Sequence, residues 1–300
     1  MKKIFLLLIT IITTFSLTAC SNSNEDHLRD YIADELHQYI FNYSYNWETN
    51  EYNYLDTINN DVATAVIMLS NYIPIDLESL LKQSGSTVEE VTTTYEEMEI
   101  TDVSTAFNMI LVYKMLGLDL DDLKTWAGNL TLNYIDSTEG YYGVVYPQTY
   151  LTVINCLNML NMNAALKTTL IEKFDDYDVV SSSYMDADLA SMIVISLQGA
   201  AHNDYLDYIY SSITFGGVKN CSDELSCSST SQVLMTLMSQ GIVYNNNSVI
   251  RNVLSFKTTN GFKEYLDDTT ADFSYASPQA FLAITTAYLF EETSNKVLFY

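Results

Sequence analysis

Two acidic strings hold the residues best suited to chemistry. Asp186-Ala187-Asp188-Leu189 places two carboxylates at the start of an apolar run, and Asp119-Leu120-Asp121-Asp122 places three within four positions. A carboxylic acid works as a proton donor near neutral pH when an apolar surrounding raises its pKa. Asp188 is the candidate for that role. The second string opens an amphipathic helix, where carboxylates cap free N–H groups and face water. Metal chemistry has less to build on. His27, His37 and His202 are the three histidines, and none stands near an Asp–Cys pair. A catalytic zinc needs three convergent protein ligands, so no metal site is expected. Asp175-Asp176-Tyr177-Asp178 and Asp267-Asp268 lack the spacing of a calcium loop and read as solvated acids. No diphosphate-binding DDxxD string, Gly-rich phosphate loop or Ser-His-Asp set is visible, and no cofactor is expected.

The elements that position these residues repeat. Six blocks open apolar runs: Asp61-Val-Ala-Thr-Ala65, Asp102-Val-Ser-Thr-Ala106, Tyr146-Pro-Gln-Thr-Tyr150, Asp186-Ala-Asp-Leu-Ala190, Cys227-Ser-Ser-Thr-Ser231 and Ala276-Ser-Pro-Gln-Ala280. Counted on the fourth residue of each, the steps are 41, 44, 40, 41 and 49 residues. A period in this range signals stacked supersecondary units. Each block predicts a first helix: Thr64–Tyr72, Thr105–Leu116, Thr149–Leu160, Leu189–Leu197, Ser231–Ser239 and Ala280–Phe290. These are apolar on most sides, as helices buried between layers are. Amphipathic second helices are predicted over Leu77–Lys82, Leu120–Leu132, Ala164–Phe174, Tyr205–Ser212 and Ser248–Phe256, facing solvent. Turns with Gly and aromatics follow at Gly140-Tyr-Tyr-Gly143, Phe215-Gly-Gly217 and Asn260-Gly-Phe262. Asp26–Tyr39 predicts one further helix of the second kind. Pairing it with the unpaired last helix would close a ring of six hairpins.

The chain start is a targeting segment. Lys2 and Lys3 precede the apolar stretch Ile4–Phe15, which is too short to span a bilayer. Leu17-Thr18-Ala19-Cys20 resembles a bacterial lipobox, which implies that Cys20 is lipidated and becomes the new N-terminus. Residues 1–19 are then a signal peptide, 20–26 a lipidated tether and 27–300 the folded domain. Removing Lys2 and Lys3 leaves 11 basic residues against 38 acidic ones, a net charge of −27. Such a body repels phosphate backbones, so nucleic acid is not an expected partner. Apolar residues make up 48% of the chain, with 24 Tyr and 12 Phe, which excludes a disordered acidic chain. Cys156 reads as a buried small hydrophobe. Cys221 and Cys227 are either a small disulfide or two free thiols.

With Asp61-Val-Ala-Thr-Ala65, Asp102-Val-Ser-Thr-Ala106 and Asn260-Gly-Phe262 in view, the chain resembles the α/α-toroid proteins with prenyltransferase and squalene-oxidase repeats. The resemblance runs from about Asp26 to Phe290. It implies an all-α fold, an (α/α)6 toroid with first helices inside, second helices outside and a cavity at one mouth. The branches differ. The zinc ligands of protein prenyltransferases have no counterpart here. Asp186-Ala-Asp188-Leu189 keeps two of the three acids of the terpenoid cyclase motif and replaces the last with Leu. Asp186-Ala-Asp188-Leu-Ala190-Ser-Met192 also resembles an inner-helix block of the transcobalamin-like carriers.

Capping alone explains Asp61, Asp102 and Asp186, with each Thr bonding in the first turn. Under a functional reading, the helix starts point into one mouth and Asp186, Asp188, Gln148 and Gln279 bind a ligand. The expectation is a lipoprotein on the extracytoplasmic face of the cell membrane, held through Cys20. It binds a small molecule or a surface protein and is non-catalytic. The alternatives are a cyclase- or lyase-like enzyme with Asp188 as general acid, and an envelope scaffold.

Overall fold

Apolar residues recurring with helical spacing give helices almost throughout. The computed structural model describes residues 45–46, 51–52, 58–71, 74–83, 86–140, 144–176, 185–197, 203–242, 246–259 and 261–293. The first helices in chain order are α1 (Asn60–Ser70), α2 (Leu77–Gln83), α3 (Val88–Glu96), α4 (Val103–Leu116), α5 (Asp121–Asn129) and α6 (Leu132–Thr138). Then come α7 (Pro147–Leu160), α8 (Ala164–Asp176), α9 (Ala187–Ser196) and α10 (Asn203–Ser212). The last are α11 (Cys227–Ser239), α12 (Asn246–Leu254) and α13 (Ala276–Thr293). The fold class is all-α. The predicted helix Asp26–Tyr39, Cys20 and the three histidines lie outside the described residues.

All six repeated blocks open helices, namely α1, α4, α7, α9, α11 and α13. Their sequences explain their burial. Val62 to Val66 of α1 are buried without interruption, and so are Val233 to Ser239 of α11. By contrast, α10 buries Ile209 alone among its side chains, and α5 only Leu123 and Ala127. The buried helices pack in chain order, α1 on α4, α4 on α7, α7 on α9, α9 on α11 and α11 on α13. Helix α13 also packs on α1.

Two differences from the sequence reading have local causes. The run predicted as Leu120–Leu132 is broken, because Leu130 is extended (φ −66°, ψ 135°) and the Thr131 side chain accepts from Tyr134 N–H to start α6. Likewise Thr87 and Glu90 form a reciprocal capping box that begins α3, a helix the sequence reading, which ended the second helix at Lys82, did not predict.

Short antiparallel strands were not expected. One pair joins β1 (Tyr45–Asn46) to β2 (Glu51–Tyr52), and a three-stranded sheet joins β3 (Ile213–Thr214), β4 (Gly217–Lys219) and β5 (Leu225–Ser226) in that order. The turn at Phe215-Gly216-Gly217 therefore bends a hairpin rather than linking helices directly.

Candidate functional site

Helix starts supply the polar groups of the site. Asp102 caps α4 by accepting Thr105 N–H at 2.7 Å, and Asp186 caps α9 by accepting Leu189 N–H at 2.8 Å. Asp61 is not a cap. Asn59 holds that position and accepts Asp61 N–H at 2.8 Å, which moves Asp61 into the first turn of α1. There burial pushes its carboxyl up to about 6. Asp119 and Asp121 face water, with Asp121 paired to Lys124 at 2.9 Å, so the second acidic string is a capping feature.

Two loops close over the starts of α11 and α13 by the same device. Thr230 Oγ1 accepts Val218 N–H at 2.9 Å, and a Cβ on Gly217 (φ +137°) would lie 2.8 Å from that oxygen. Ser277 Oγ accepts Phe262 N–H at 2.9 Å, and a Cβ on Gly261 (φ +143°) would lie 2.7 Å from it. Each glycine thus permits a close approach that no other residue fits. Glu264 then ties the second loop to α11. Its Oε1 accepts Ser226 Oγ at 2.5 Å, its Oε2 accepts Ser228 Oγ at 2.6 Å, and its backbone carbonyl accepts Cys227 N–H at 2.9 Å.

Between these loops and the starts of α9 and α13 lies a cleft of about 620 Å³. Asp188, Glu264, Asp268 and Asp272 line it, with Tyr265, Tyr275 and Gln279 among the other walls. Asp188 is its most unusual group. Ser229 Oγ donates to Asp188 Oδ2 at 3.0 Å, while Oδ1 is buried without a hydrogen-bond partner. Burial pushes the carboxyl up to about 7, and the nearby charges of Asp186 and Glu264 push the same way against the Ser229 bond. Gln279 Oε1 is likewise buried and unpartnered.

The four predicted binding residues are therefore not equivalent. Asp188 and Gln279 meet in the cleft although they stand in different blocks. Asp186 is half-buried, and its carboxylate is spent on the cap and on raising Asp188. Gln148 is exposed at the start of α7, which contributes no residue to the cleft. Cys221 and Cys227 are unbridged. Cys221 is exposed at the cleft edge, whereas Cys227 is buried with Sγ 4.0 Å from the Ala276 carbonyl. Burial raises the thiols of Cys227 and Cys156, which leaves both unreactive. Among the described residues no group of His, Cys, Asp and Glu could hold a metal ion.

Sequence reasoning missed Glu264, Asp272 and Tyr275; Asp268, read as a solvated acid, is exposed and lines the cleft. Glu264 has no local signature, since its serine partners are 38 and 36 positions away. A second cavity, about 510 Å³, lies at the C-terminal end of α7, where Lys167 Nζ donates to Asn158 Oδ1 at 3.0 Å. Set against models of protein families, curated proteins and solved structures, the chain matches none of them.

Proposed function

We propose that this chain is a lipid-anchored extracytoplasmic binding protein with an (α/α)6 toroid, and that the cleft around Asp188 is its ligand site. The toroid reading is supported by the packing of buried helices in chain order and of α13 on α1. The lipobox-like Leu17-Thr18-Ala19-Cys20 supports the anchor. Among the described residues no helix is long and apolar enough to cross a membrane, so the anchor carries the attachment in this reading.

One observation carries the binding reading. Asp188 and Gln279 both line one cleft, and each keeps one buried oxygen, Oδ1 and Oε1, without a hydrogen-bond partner. Buried polar groups are nearly always satisfied, and an unsatisfied one costs about 1–3 kcal/mol. A bound molecule that donates to them, once the side chains turn toward the space, recovers that loss. The test is a thermal-shift screen of the full chain in non-ionic detergent against glycans, corrinoids, isoprenoid diphosphates, small organic amines and divalent metals. A saturable rise in melting temperature that Asp188→Ala abolishes supports the site, because only binding to the folded state stabilises it. No shift with any class overturns it.

A second reading has one observation in its favour. A carboxyl with a pKa of about 7 at the edge of a cleft is poised to donate a proton at neutral pH. In that reading Asp188 is the general acid of a cyclase- or lyase-like reaction. Conversion of a bound ligand, lost in Asp188→Asn with binding retained, distinguishes it from simple binding.

A further inference from the structure

We propose that the cleft takes a small organic amine, one that presents a primary ammonium group to Asp188 and Gln279 and carries no carboxylate or phosphate. This rests on the cleft being a ligand site and adds the class of ligand. The lining decides the sign of the charge. Four carboxylates face it, from Asp188, Glu264, Asp268 and Asp272, and none of the described residues lining it is Lys, Arg or His. An anionic ligand, or the carboxylate of an amino acid, would enter a field of its own sign with no cation to receive it.

The hydrogen bonds decide where the charge docks. Glu264 is filled by the hydroxyls of Ser226 and Ser228. Asp268 Oδ2 accepts Tyr265 N–H at 2.9 Å, and Asp272 Oδ1 accepts the N–H groups of Ser274 and Tyr275 at 2.7 and 3.1 Å. Asp188 and Gln279, both cleft residues, each keep one buried oxygen without a donor, and a ligand's N–H groups satisfy these two acceptors once the side chains turn toward the space. A primary ammonium brings three N–H donors and a full positive charge. A quaternary ammonium brings the charge but no donor, so both oxygens stay unsatisfied. A neutral polyol brings donors but leaves the carboxylate charges uncompensated. A bare metal ion needs several oxygens around one point, and among the described residues no acid cluster has that arrangement.

The remaining walls suit the carbon skeleton. Tyr265 and Tyr275 line the cleft, and aromatic faces favour both methylene chains and cations. At about 620 Å³ the space exceeds what a lone ammonium ion fills and lies within the range of small-molecule sites.

The experiment is isothermal titration calorimetry of the full chain in non-ionic detergent at pH 8 and about 150 mM salt, where exposed charges are screened beyond about 8 Å. The probes are spermidine and 1,4-diaminobutane, with 1,4-butanediol and glucose as neutral comparators. Saturable binding of the amines, absent for butanediol and weakened at least about tenfold by both Asp188→Asn and Thr270→Trp, is the expected result. Thr270 is an exposed cleft residue, so its replacement blocks the space without touching the core. Binding of glucose but not the amines, lost in the same variants, overturns the amine class and keeps the cleft as a ligand site. Amine binding that survives both variants places the amines elsewhere on the acidic surface and overturns the proposal. No binding by any probe overturns it too, and the broader screen above then decides whether the cleft binds anything.

Discussion

Replacing Asp188 by Asn should make the protein more stable, and increasingly so as the pH rises. On folding, the Asp188 pKa climbs from 3.8 to about 7, chiefly through burial. A group with a raised folded pKa holds its proton in the folded state while the unfolded chain has released it. Its contribution is complete below the unfolded value and is lost as pH rises to the folded one. Each pH unit in that window removes about 1.4 kcal/mol, so the whole loss is at most about 4 kcal/mol. Acidic conditions near the pI of about 4.1 invite precipitation, so the comparison is best made between pH 5.5 and pH 8. Over that interval the loss is about 2 kcal/mol, because it stops near pH 7. Asparagine keeps the shape and can still accept from Ser229 but carries no charge. The gap in melting temperature between variant and parent should therefore widen by about 3 °C from pH 5.5 to pH 8. Differential scanning calorimetry of both proteins in detergent at the two pH values reads this directly. A gap that stays constant, or a variant destabilised at pH 8, would refute the argument that the protein folds against an ionised Asp188.

Other perturbations probe the core, the cleft loops and the anchor. Tyr95→Phe removes a hydroxyl that accepts Ile58 N–H at 2.6 Å and donates to Asn108 Oδ1 at 2.9 Å, and should cost about 2 kcal/mol in denaturant unfolding. Glu264→Ala unties the loop from the start of α11, so faster amide exchange is expected at Cys227 and Ser228 with little change in α4. Gly261→Ala pushes a methyl against Ser277 Oγ and should destabilise by about 2 kcal/mol, whereas Gly128→Ala meets only the end of Met162 at 3.7 Å and should be tolerated. Cys20→Ser should abolish palmitate labelling of the chain and release it from the membrane fraction; labelling that persists removes the lipid anchor from the functional reading.

Helix starts were legible because capping and periodicity are local. Asp102 and Asp186 sit one residue before their helices and cap them as the sequence implies. The buried helices were legible where they are apolar on nearly every side, as α4 is, whereas α11 buries serines and threonines along with its apolar residues. The cleft was only half legible. Asp188 and Gln279 occupy block positions, but Glu264 matters through serines on another element, and nothing in its own neighbourhood announces that pairing. Asn59 takes the cap of α1 and Asn60 opens the helix, so Asp61 falls in its first turn; sequence does not rank the two asparagines against the aspartate that follows. The hairpin at Phe215 was missed for a related reason. Its strands are two and three residues long and pair with a loop fixed by Thr230, so no alternation could build up.

The contact between α13 and α1 bears on how the chain reaches its native state. Those helices are separated by roughly 200 residues of sequence, so closing them has a high entropic barrier that neighbouring hairpins do not face. A chain made from its N-terminus first must therefore leave the apolar side of α1 waiting until α13 emerges. Shortening the chain by α13 would uncover the side of α1 that packs on it, and the product should be a protease's substrate rather than a smaller stable protein.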